Sequence, residues 1–456
     1  MLKARVTLVE KGRMGGDCLN TGCIPSKSLL SSARLLGEIR RGEASGLKLD
    51  NAAFDFSRVM QRVADTVARI APNDSMDRYT SLGVECIAGS ARICSPWEVE
   101  VDGLRLTTRA IVIATGARPI VPPIPGLSRV DFLSSETIWS LPSLPGELLV
   151  LGGGPIGCEM AQCFGRLGSR TALLEAAARI LPREDEDVSG KLRRSLDEDG
   201  VSVITGANAR AVETEGGKGA LVLATDSGEL RMTFDSFLLA VGRRADTEGL
   251  GLEELGVEMR QDGTVRTDRY LRSSLPTIYA CGDVTGPWQF THAAGHQGWH
   301  AAFNALLPSG FRGRRADTAV MPYCVFTEPE VARVGLNEHQ AKARGIAYEV
   351  TCFDPAELDR SVVEAETEGL VKVLTVPGKD RILGVTLLGH GAGELITEYV
   401  LAMQYGLGLR KLLGTVHAYP TRSEASHRVA AVWQRQHMPS WLPSVAARYH
   451  RWRRGR

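Results

Sequence analysis

The stretch Leu148-Leu149-Val150-Leu151-Gly152-Gly153-Gly154-Pro155-Ile156-Gly157 decides the fold. Its four leading apolar residues read as a buried strand, and the glycines turn that strand into a helix running through Cys158 to Leu167. Thr171 to Leu174 reads as a second strand and closes on Glu175. Gly152, Gly154 and Gly157 keep the GxGxxG spacing. Their missing side chains allow a tight turn, close approach of the backbone to a pyrophosphate, and close packing of helix on strand. The helix N-terminus then faces the phosphates. A lone GxGxxG is weak evidence, but here strand, helix and terminal acid are all in place, so the segment reads as a complete dinucleotide-binding unit. A carboxylate at Glu175 can accept hydrogen bonds from both ribose hydroxyls of NAD and would repel the 2′-phosphate of NADP. Arg179 keeps NADP open as the less favoured cofactor. The plainer reading of Glu175 is a solvated acid at a strand end.

A second, incomplete copy lies upstream. Arg5-Val6-Thr7-Leu8-Val9-Glu10 echoes Arg170-Thr171-Ala172-Leu173-Leu174-Glu175. The 23 residues that separate Gly152 from Glu175 would, counted back from Glu10, fall before Met1. The first strand, glycine loop and first helix of this copy are therefore expected to be absent. A start placed too far downstream is the favoured explanation, and a damaged or diverged protein is the other. Ala110 to Ala114 reads as a further buried strand ending in Thr115-Gly116, and Thr277 to Cys281 as another ending in Gly282-Asp283.

Closest to the first acid stands Gly15-Gly16-Asp17-Cys18-Leu19-Asn20-Thr21-Gly22-Cys23-Ile24-Pro25-Ser26-Lys27. On an ideal helix Cys18 and Cys23 would point about 140° apart. A bond between them would need a distorted first turn, which Gly15, Gly16 and Gly22 permit. A thiol near a helix N-terminus has a lowered pKa and is a better nucleophile and leaving group. Two structural cysteines are the alternative.

This stretch resembles the redox-active disulfide of the flavoprotein disulfide reductases with two dinucleotide-binding domains, the family of dihydrolipoyl dehydrogenase, glutathione reductase and mercuric reductase. The resemblance implies FAD and NAD as cofactors, with electrons passing from NADH to FAD and on to Cys18–Cys23. It makes Cys23 the thiolate against the flavin and Cys18 the interchange thiol that meets substrate. Lys27 and Glu159 match an ion pair near the flavin, although Glu159 could also be an exposed acid at a helix start. Glu10 is expected at the adenosine ribose, and Asp283 at the ribityl or phosphate region. Thr115 and Gly116 form the second glycine motif, and Gly242 joins the cofactor contacts. A helix beginning at Thr291 runs under the flavin, where His292 packs or caps. Cys158 and Cys163 repeat the spacing of the redox pair, but they sit in an apolar helix and read as buried packing thiols.

The C-terminal stretch His417-Ala418-Tyr419-Pro420-Thr421-Arg422-Ser423-Glu424 resembles the family's His-Pro-x-x-x-Glu motif, in which the His is the acid/base and the Glu orients it. Pro420 and Glu424 are kept, but Tyr419 stands where the His belongs. With a pKa near 10, tyrosine is a poor base at neutral pH and a usable acid or donor. His417 is the candidate substitute, with a side chain expected to point elsewhere. Mercuric reductases also carry a tyrosine here, but they deliver mercury through a C-terminal cysteine pair. This chain has no cysteine after Cys352.

Length and composition suit a large enzyme. At 456 residues the chain has room for about three domains. A formal net charge of +1 gives no case for nucleic-acid binding. The first residues form no apolar signal core, and no apolar run is long enough to span a bilayer. Nine scattered cysteines do not make a secreted disulfide framework, which points to the cytoplasm. No metal-ligand set is assigned. The expected fold is α/β, with two Rossmann-like dinucleotide-binding domains and an α+β C-terminal dimerisation domain. Residues 1–143 and 264–314 build the FAD domain, 144–263 the NAD domain and 315–435 the dimerisation domain, followed by a basic aromatic tail at 436–456. In the tail, Leu442, Val445, Tyr449 and Trp452 recur at helical spacing among arginines. A packed or frayed terminal helix with solvated arginines is the favoured reading. A surface helix making weak contact with anionic membrane or an acidic partner is the other.

The expected activity is that of a homodimeric disulfide oxidoreductase, dihydrolipoyl dehydrogenase-like, passing electrons to a thiol/disulfide, soft-metal or quinone acceptor. A mercuric reductase-like metal reductase is the enzyme alternative. A degenerate, flavin-free protein, either a dimeric scaffold or a non-functional truncation, is the non-enzyme one.

Overall fold

The computed structural model describes residues 4–42, 46, 53–215, 218–307 and 313–455. They form two compact units. The first is Met1–Pro182 with Leu196–Thr318, and the second is Arg183–Ser195 with Ala319–Arg456.

The first unit holds the dinucleotide-binding segments. Strand Glu147–Leu151 lies between Arg170–Glu175 and Ser236–Leu239, and Ser202–Thr205 flanks Arg170–Glu175, giving a four-stranded all-parallel sheet. Such sheets are covered on both faces, so their strands are apolar throughout. Leu148, Val150, Leu173 and Leu174 are accordingly fully buried, each contributing about 1.5–3 kcal/mol. A three-stranded antiparallel sheet, Asn208–Glu215, Lys218–Thr225 and Gly228–Phe234, intervenes before the last parallel strand. The upstream copy follows the same plan. Thr7–Glu10 pairs in parallel with Glu85–Ala88. The antiparallel strands Ala91–Ser95, Glu98–Val101 and Leu104–Thr107 come next. Ile111–Ile113 then pairs in parallel with Ile278–Ala280. Among the described residues no strand joins these two parallel pairs, whereas Glu147–Leu151 does so in the other copy.

The second unit is built on a five-stranded antiparallel sheet. Its order is Tyr323–Val325, Glu330–Gly335, Ile382–Gly389, Leu370–Thr375, Glu349–Phe353. Helices Ala392–Gln404 and Glu424–Gln436 supply Tyr399, Val429 and Trp433 to a core shared with Val334, Val373 and Val385. Two Rossmann-like α/β segments and an α+β C-terminal unit are the architecture expected from the sequence. No helix among the described residues is long and apolar enough to cross a membrane.

Charge ties Arg183–Ser195 to the second unit. Lys372, only 2% exposed, holds Asp187 at 2.7 Å, Glu338 at 2.9 Å and Asp185 at 3.3 Å. Burial by itself would lower the lysine pKa, but these carboxylates raise it on balance. Glu184 pairs with the equally buried Arg333 at 3.0 Å. Removing one partner of a buried ion cluster leaves the others uncompensated. Lys372→Met should therefore lower stability by about 3 kcal/mol, read as a drop in the denaturant midpoint. An unchanged midpoint would show that water satisfies the three acids unaided.

Candidate active site

Two short-range decisions by the chain place the cysteines. Gly16–Asn20 forms a short helix carrying Cys18, which ends at Thr21. A second helix, Cys23–Arg41, begins on Cys23. A Cβ on Gly22 would lie 3.0 Å from the Asp17 carbonyl oxygen and 3.2 Å from the Cys18 Cα, so only glycine lets the chain double back here. The expectation of one helix with a distorted first turn is thus replaced by two helices with a break between them. The break removes the 140° separation, and the two thiols come close enough to shift each other's pKa.

Their surroundings are unequal. Cys23 Sγ lies 3.4 Å from Thr291 Oγ1, at the start of helix Thr291–Leu306. The hydrogen bond from Cys18, the Thr291 hydroxyl and the charge of Lys27 outweigh burial and Asp17, and they lower the Cys23 pKa to about 6. Cys18 is pushed strongly upward by the same hydrogen bond and by burial. The two shifts run in opposite directions and favour the thiolate at Cys23 over Cys18. Lys27, one turn beyond Cys23, donates to Glu159 Oε2 at 2.8 Å. Glu159 is buried in helix Pro155–Leu167, which sets aside the reading of an exposed acid.

Sequence reasoning missed Arg243. Its guanidinium donates to the Asp17 carboxylate and to the Ala117 carbonyl, and lies 3.9 Å from Asp283. Burial raises the Asp283 pKa to about 6, with Arg243 acting against it and Asp17 and Cys23 adding to it. Gln297 fixes the turn before Asp283 by accepting from Gly282 N at 2.7 Å. The only signal in the sequence was a basic pair, Arg243-Arg244, directly after Gly242. His292 stacks on Phe290 with ring centroids 5.4 Å apart.

The glycine loop takes the form its spacing requires. Gly157 packs so closely that a Cβ there would fall 1.8 Å from Gly152 O, while a Cβ on Gly154 would meet nothing within 4 Å. That open side lies over the helix N-terminus, where a phosphate would rest. Glu175 accepts from Gly153 N and Ala177 N, each at 2.7 Å. Arg179 turns to the Pro182 carbonyl. Glu10 echoes Glu175 by accepting from Gly12 N at 2.7 Å. Thr115 Oγ1 donates to Asp246 O at 2.6 Å, and Asp246 N donates to Gly116 O at 3.0 Å. Gly242 has a φ of +125°. Cys158 and Cys163 are fully buried, with pKa values raised by burial, as packing thiols are.

Tyr419 and Glu424 belong to the second unit, where they do not bond to each other. Tyr419, 68% exposed, donates to Asp359 Oδ2 at 2.8 Å, and that hydrogen bond and charge raise its pKa. Asp359 lies 60 positions away, and nothing local in the sequence announces the pairing. Glu424 pairs with Arg428 at 3.0 Å, and its other oxygen is buried without a hydrogen bond. His417 is tucked in, with Nε2 2.9 Å from Glu398 and Nδ1 3.1 Å from Thr415 O, so both ring nitrogens are engaged.

Comparison with known proteins agrees with this geometry. Residues 1–298 match the model of pyridine nucleotide-disulphide oxidoreductases, and residues 321–430 match the dimerisation domain of the same family. A mercuric reductase of Staphylococcus aureus is 33% identical over 92% of this chain and 76% of its own length. A dihydrolipoyl dehydrogenase of Chlamydia muridarum is 34% identical over 95% of this chain and 93% of its own. The HOCl-induced flavoprotein disulfide reductase RclA from Escherichia coli superposes with a TM-score of 0.82 at 30% identity, covering 94% of each chain. A paired thiol and thiolate beside a nucleotide-binding loop, carried on this fold, is the equipment of the pyridine nucleotide-disulphide oxidoreductases, and the chain belongs to that family of NAD(P)H- and FAD-dependent enzymes acting on sulfur groups.

Proposed function

We propose that the chain is a homodimeric, NAD-preferring disulfide oxidoreductase of the dihydrolipoyl dehydrogenase type, with Cys18 and Cys23 as its redox pair. The observation that carries this reading is the thiolate at Cys23, held by Cys18, Thr291 and Lys27 at the start of a helix. The match of residues 321–430 to a dimerisation domain supports the homodimer. Nine cysteines scattered through the chain suit a reducing compartment such as the cytoplasm.

The residues present fit NAD, and the described residues supply part of a site for FAD. Gly154 leaves open room at a helix N-terminus for the NAD pyrophosphate, and Glu175 stands at the strand end with lone pairs left for ribose hydroxyls. For FAD, Glu10 occupies the equivalent place, Asp283 and Thr291 approach Cys23, and a Cβ on Gly116 would meet nothing within 4 Å. When bound, FAD supplies a two-electron relay between the nicotinamide and the cysteine pair.

The thiol chemistry follows from the proton's position. In the reduced pair Cys18 carries the proton and Cys23 the charge. For Cys18 to attack a substrate disulfide, its proton must leave, and the sulfur hydrogen-bonded to it is Cys23. Cys18 then forms a mixed disulfide and expels one substrate thiol. Attack by Cys23 on that bond closes Cys18–Cys23 and releases the second. Two electrons and the pair's one proton leave, and the substrate disulfide becomes one thiol and one thiolate, which takes its proton from water. Run in reverse, the sequence oxidises a dithiol and needs a group to take its proton. Tyr419, protonated and bonded to Asp359, is suited to donating rather than accepting.

Three measurements test this reading. In the reduced protein, the rate of alkylation at Cys23 by iodoacetamide, followed on its own peptide, should rise through a midpoint of about 6. Lys27→Met removes a charge that favours the thiolate, so the midpoint should move up by about one unit and the rate at pH 6 should fall several-fold. A midpoint near about 8.5 in the unmodified protein, the value of a free thiol, would remove Cys23 as the thiolate.

With an artificial electron acceptor, NADH should outperform NADPH, and Glu175→Arg should reduce that preference at least about tenfold by replacing repulsion of the 2′-phosphate with attraction. Equal use of the two by the unmodified enzyme would dismiss Glu175 as the determinant.

Dihydrolipoamide oxidation should be slow in the unmodified enzyme, because general acid/base assistance is worth about 10²- to 10⁴-fold. Tyr419→His should raise it, since the unpartnered oxygen of Glu424 is available to orient an imidazole. Cys23→Ser is the inactive control. Efficient turnover by the unmodified enzyme would show that Tyr419 is no handicap.

A further inference from the structure

The last helix of the tail does not pack on its own chain. Helix Leu442–Arg453 has no buried residue, and along its length only Ala446 is even half-covered. Trp441, Leu442, Val445, Tyr449 and Trp452 are 61%, 39%, 52%, 49% and 73% exposed. Of the expected packed or frayed terminal helix with solvated arginines, only the packed form is set aside: the helix is uncovered. At 3.6 residues per turn these five side chains fall within an arc of about 100°. Arg448 and Arg453 border that arc on its two sides, and Arg451 and Arg454 lie opposite. The rings of Tyr449 and Trp452 stand 6.0 Å apart and make the far half of the arc continuous. Seven arginines and no acidic residue follow Glu424. An isolated helix of about 12 residues is marginal in water, so this one gains its stability from whatever covers the apolar arc.

We infer that the tail helix is a membrane-surface anchor that lies in the interface of an anionic lipid bilayer. The arrangement suits that occupant in each part. Tryptophan and tyrosine prefer the headgroup level, where an apolar ring and a polar edge are both satisfied. Arginines at the borders of an apolar arc keep their stems on the lipid side and their guanidinium groups among phosphates. A soluble polyanion would engage the arginines but leave five large apolar side chains in water. A second copy of the helix would bring two rows of arginines together. Its face, about 18 Å long and 10 Å wide, would also bury far less than the roughly 800 Å² per partner of a stable interface. The inference is independent of the redox reading, because no residue of the tail takes part in it.

Flotation of the full-length protein with vesicles tests the inference. It should rise with vesicles of mixed phosphatidylcholine and phosphatidylglycerol, stay behind with phosphatidylcholine alone, and detach progressively as salt is raised. Arg448→Gln/Arg451→Gln/Arg453→Gln should lower partitioning about a hundredfold, at roughly one elementary attraction per arginine. Trp441→Ser/Trp452→Ser should abolish binding while leaving NADH-dependent reduction of an artificial acceptor unchanged. Trp441→Phe/Trp452→Phe should still bind but lose the part of the tryptophan emission that brominated acyl chains quench. Equal binding to phosphatidylcholine alone, or unchanged binding by the Ser variant, would overturn the inference. So would a vesicle-independent rise in mass that the Ser variant loses, which would show a contact between copies. Binding to a soluble polyanion such as heparin without binding to mixed vesicles would also overturn it.

Discussion

Three groups favour the thiolate at Cys23, two from its own stretch of chain and one from 268 positions away. Cys18 offers a proton, Thr291 a hydroxyl and Lys27 a charge. None of them is enough without the break at Thr21–Gly22, which sets Cys23 at the first position of a 19-residue helix and turns Cys18 back toward it. The helix adds its own positive end to the same sulfur. The rest of the first unit can be viewed as the support for this arrangement. Helix Pro155–Leu167 supplies Glu159 to hold Lys27, and the Gly282–Thr285 turn brings Asp283 close while Arg243 offsets its charge.

The two nucleotide-binding segments show how one plan is used twice. In each, a parallel strand closes on a glutamate whose carboxylate accepts a backbone N–H two residues on or in the facing loop. Each also interposes a three-stranded antiparallel sheet before its last parallel strand. Between Thr7–Glu10 and Ile111–Ile113, however, the described residues supply no joining strand, and Val6 and Val112 are 45% and 38% exposed. Their counterparts around Glu147–Leu151 are closed over.

What the sequence made legible was local. Gly152, Gly154 and Gly157 announced their turn, their open side and their close packing, because each depends on a missing side chain at a fixed offset. The apolar runs of the parallel strands were legible for a similar reason: burial on both faces leaves no alternation to confuse with a helix. The proximity of Lys27 and Glu159 could be read only through resemblance, since 132 residues separate them. Arg243 with Asp17 and Tyr419 with Asp359 were not legible at all, because long-range polar pairs leave no periodic trace. In the tail only the helix and its apolar face were legible. Helical spacing of apolar residues predicts a helix and a face, but it does not say whether the molecule itself provides the cover.

Lys372 carries a consequence for how the second unit is made. Its partner Asp185 lies 187 residues earlier in the chain, and Asp187 lies 185 residues earlier. During synthesis at about 5–20 residues per second, the acidic turn around Asp185 leaves the ribosome roughly 10 to 40 seconds before its lysine exists. Until Arg333 and then Lys372 emerge, the run Glu184-Asp185-Glu186-Asp187 stands without either of these buried cations. Four like charges in a row are costly to bury alone, so these buried partners come only from residues made later. The second unit thus joins an early piece to a late one, and the early piece cannot meet its buried cations before the late one has been made.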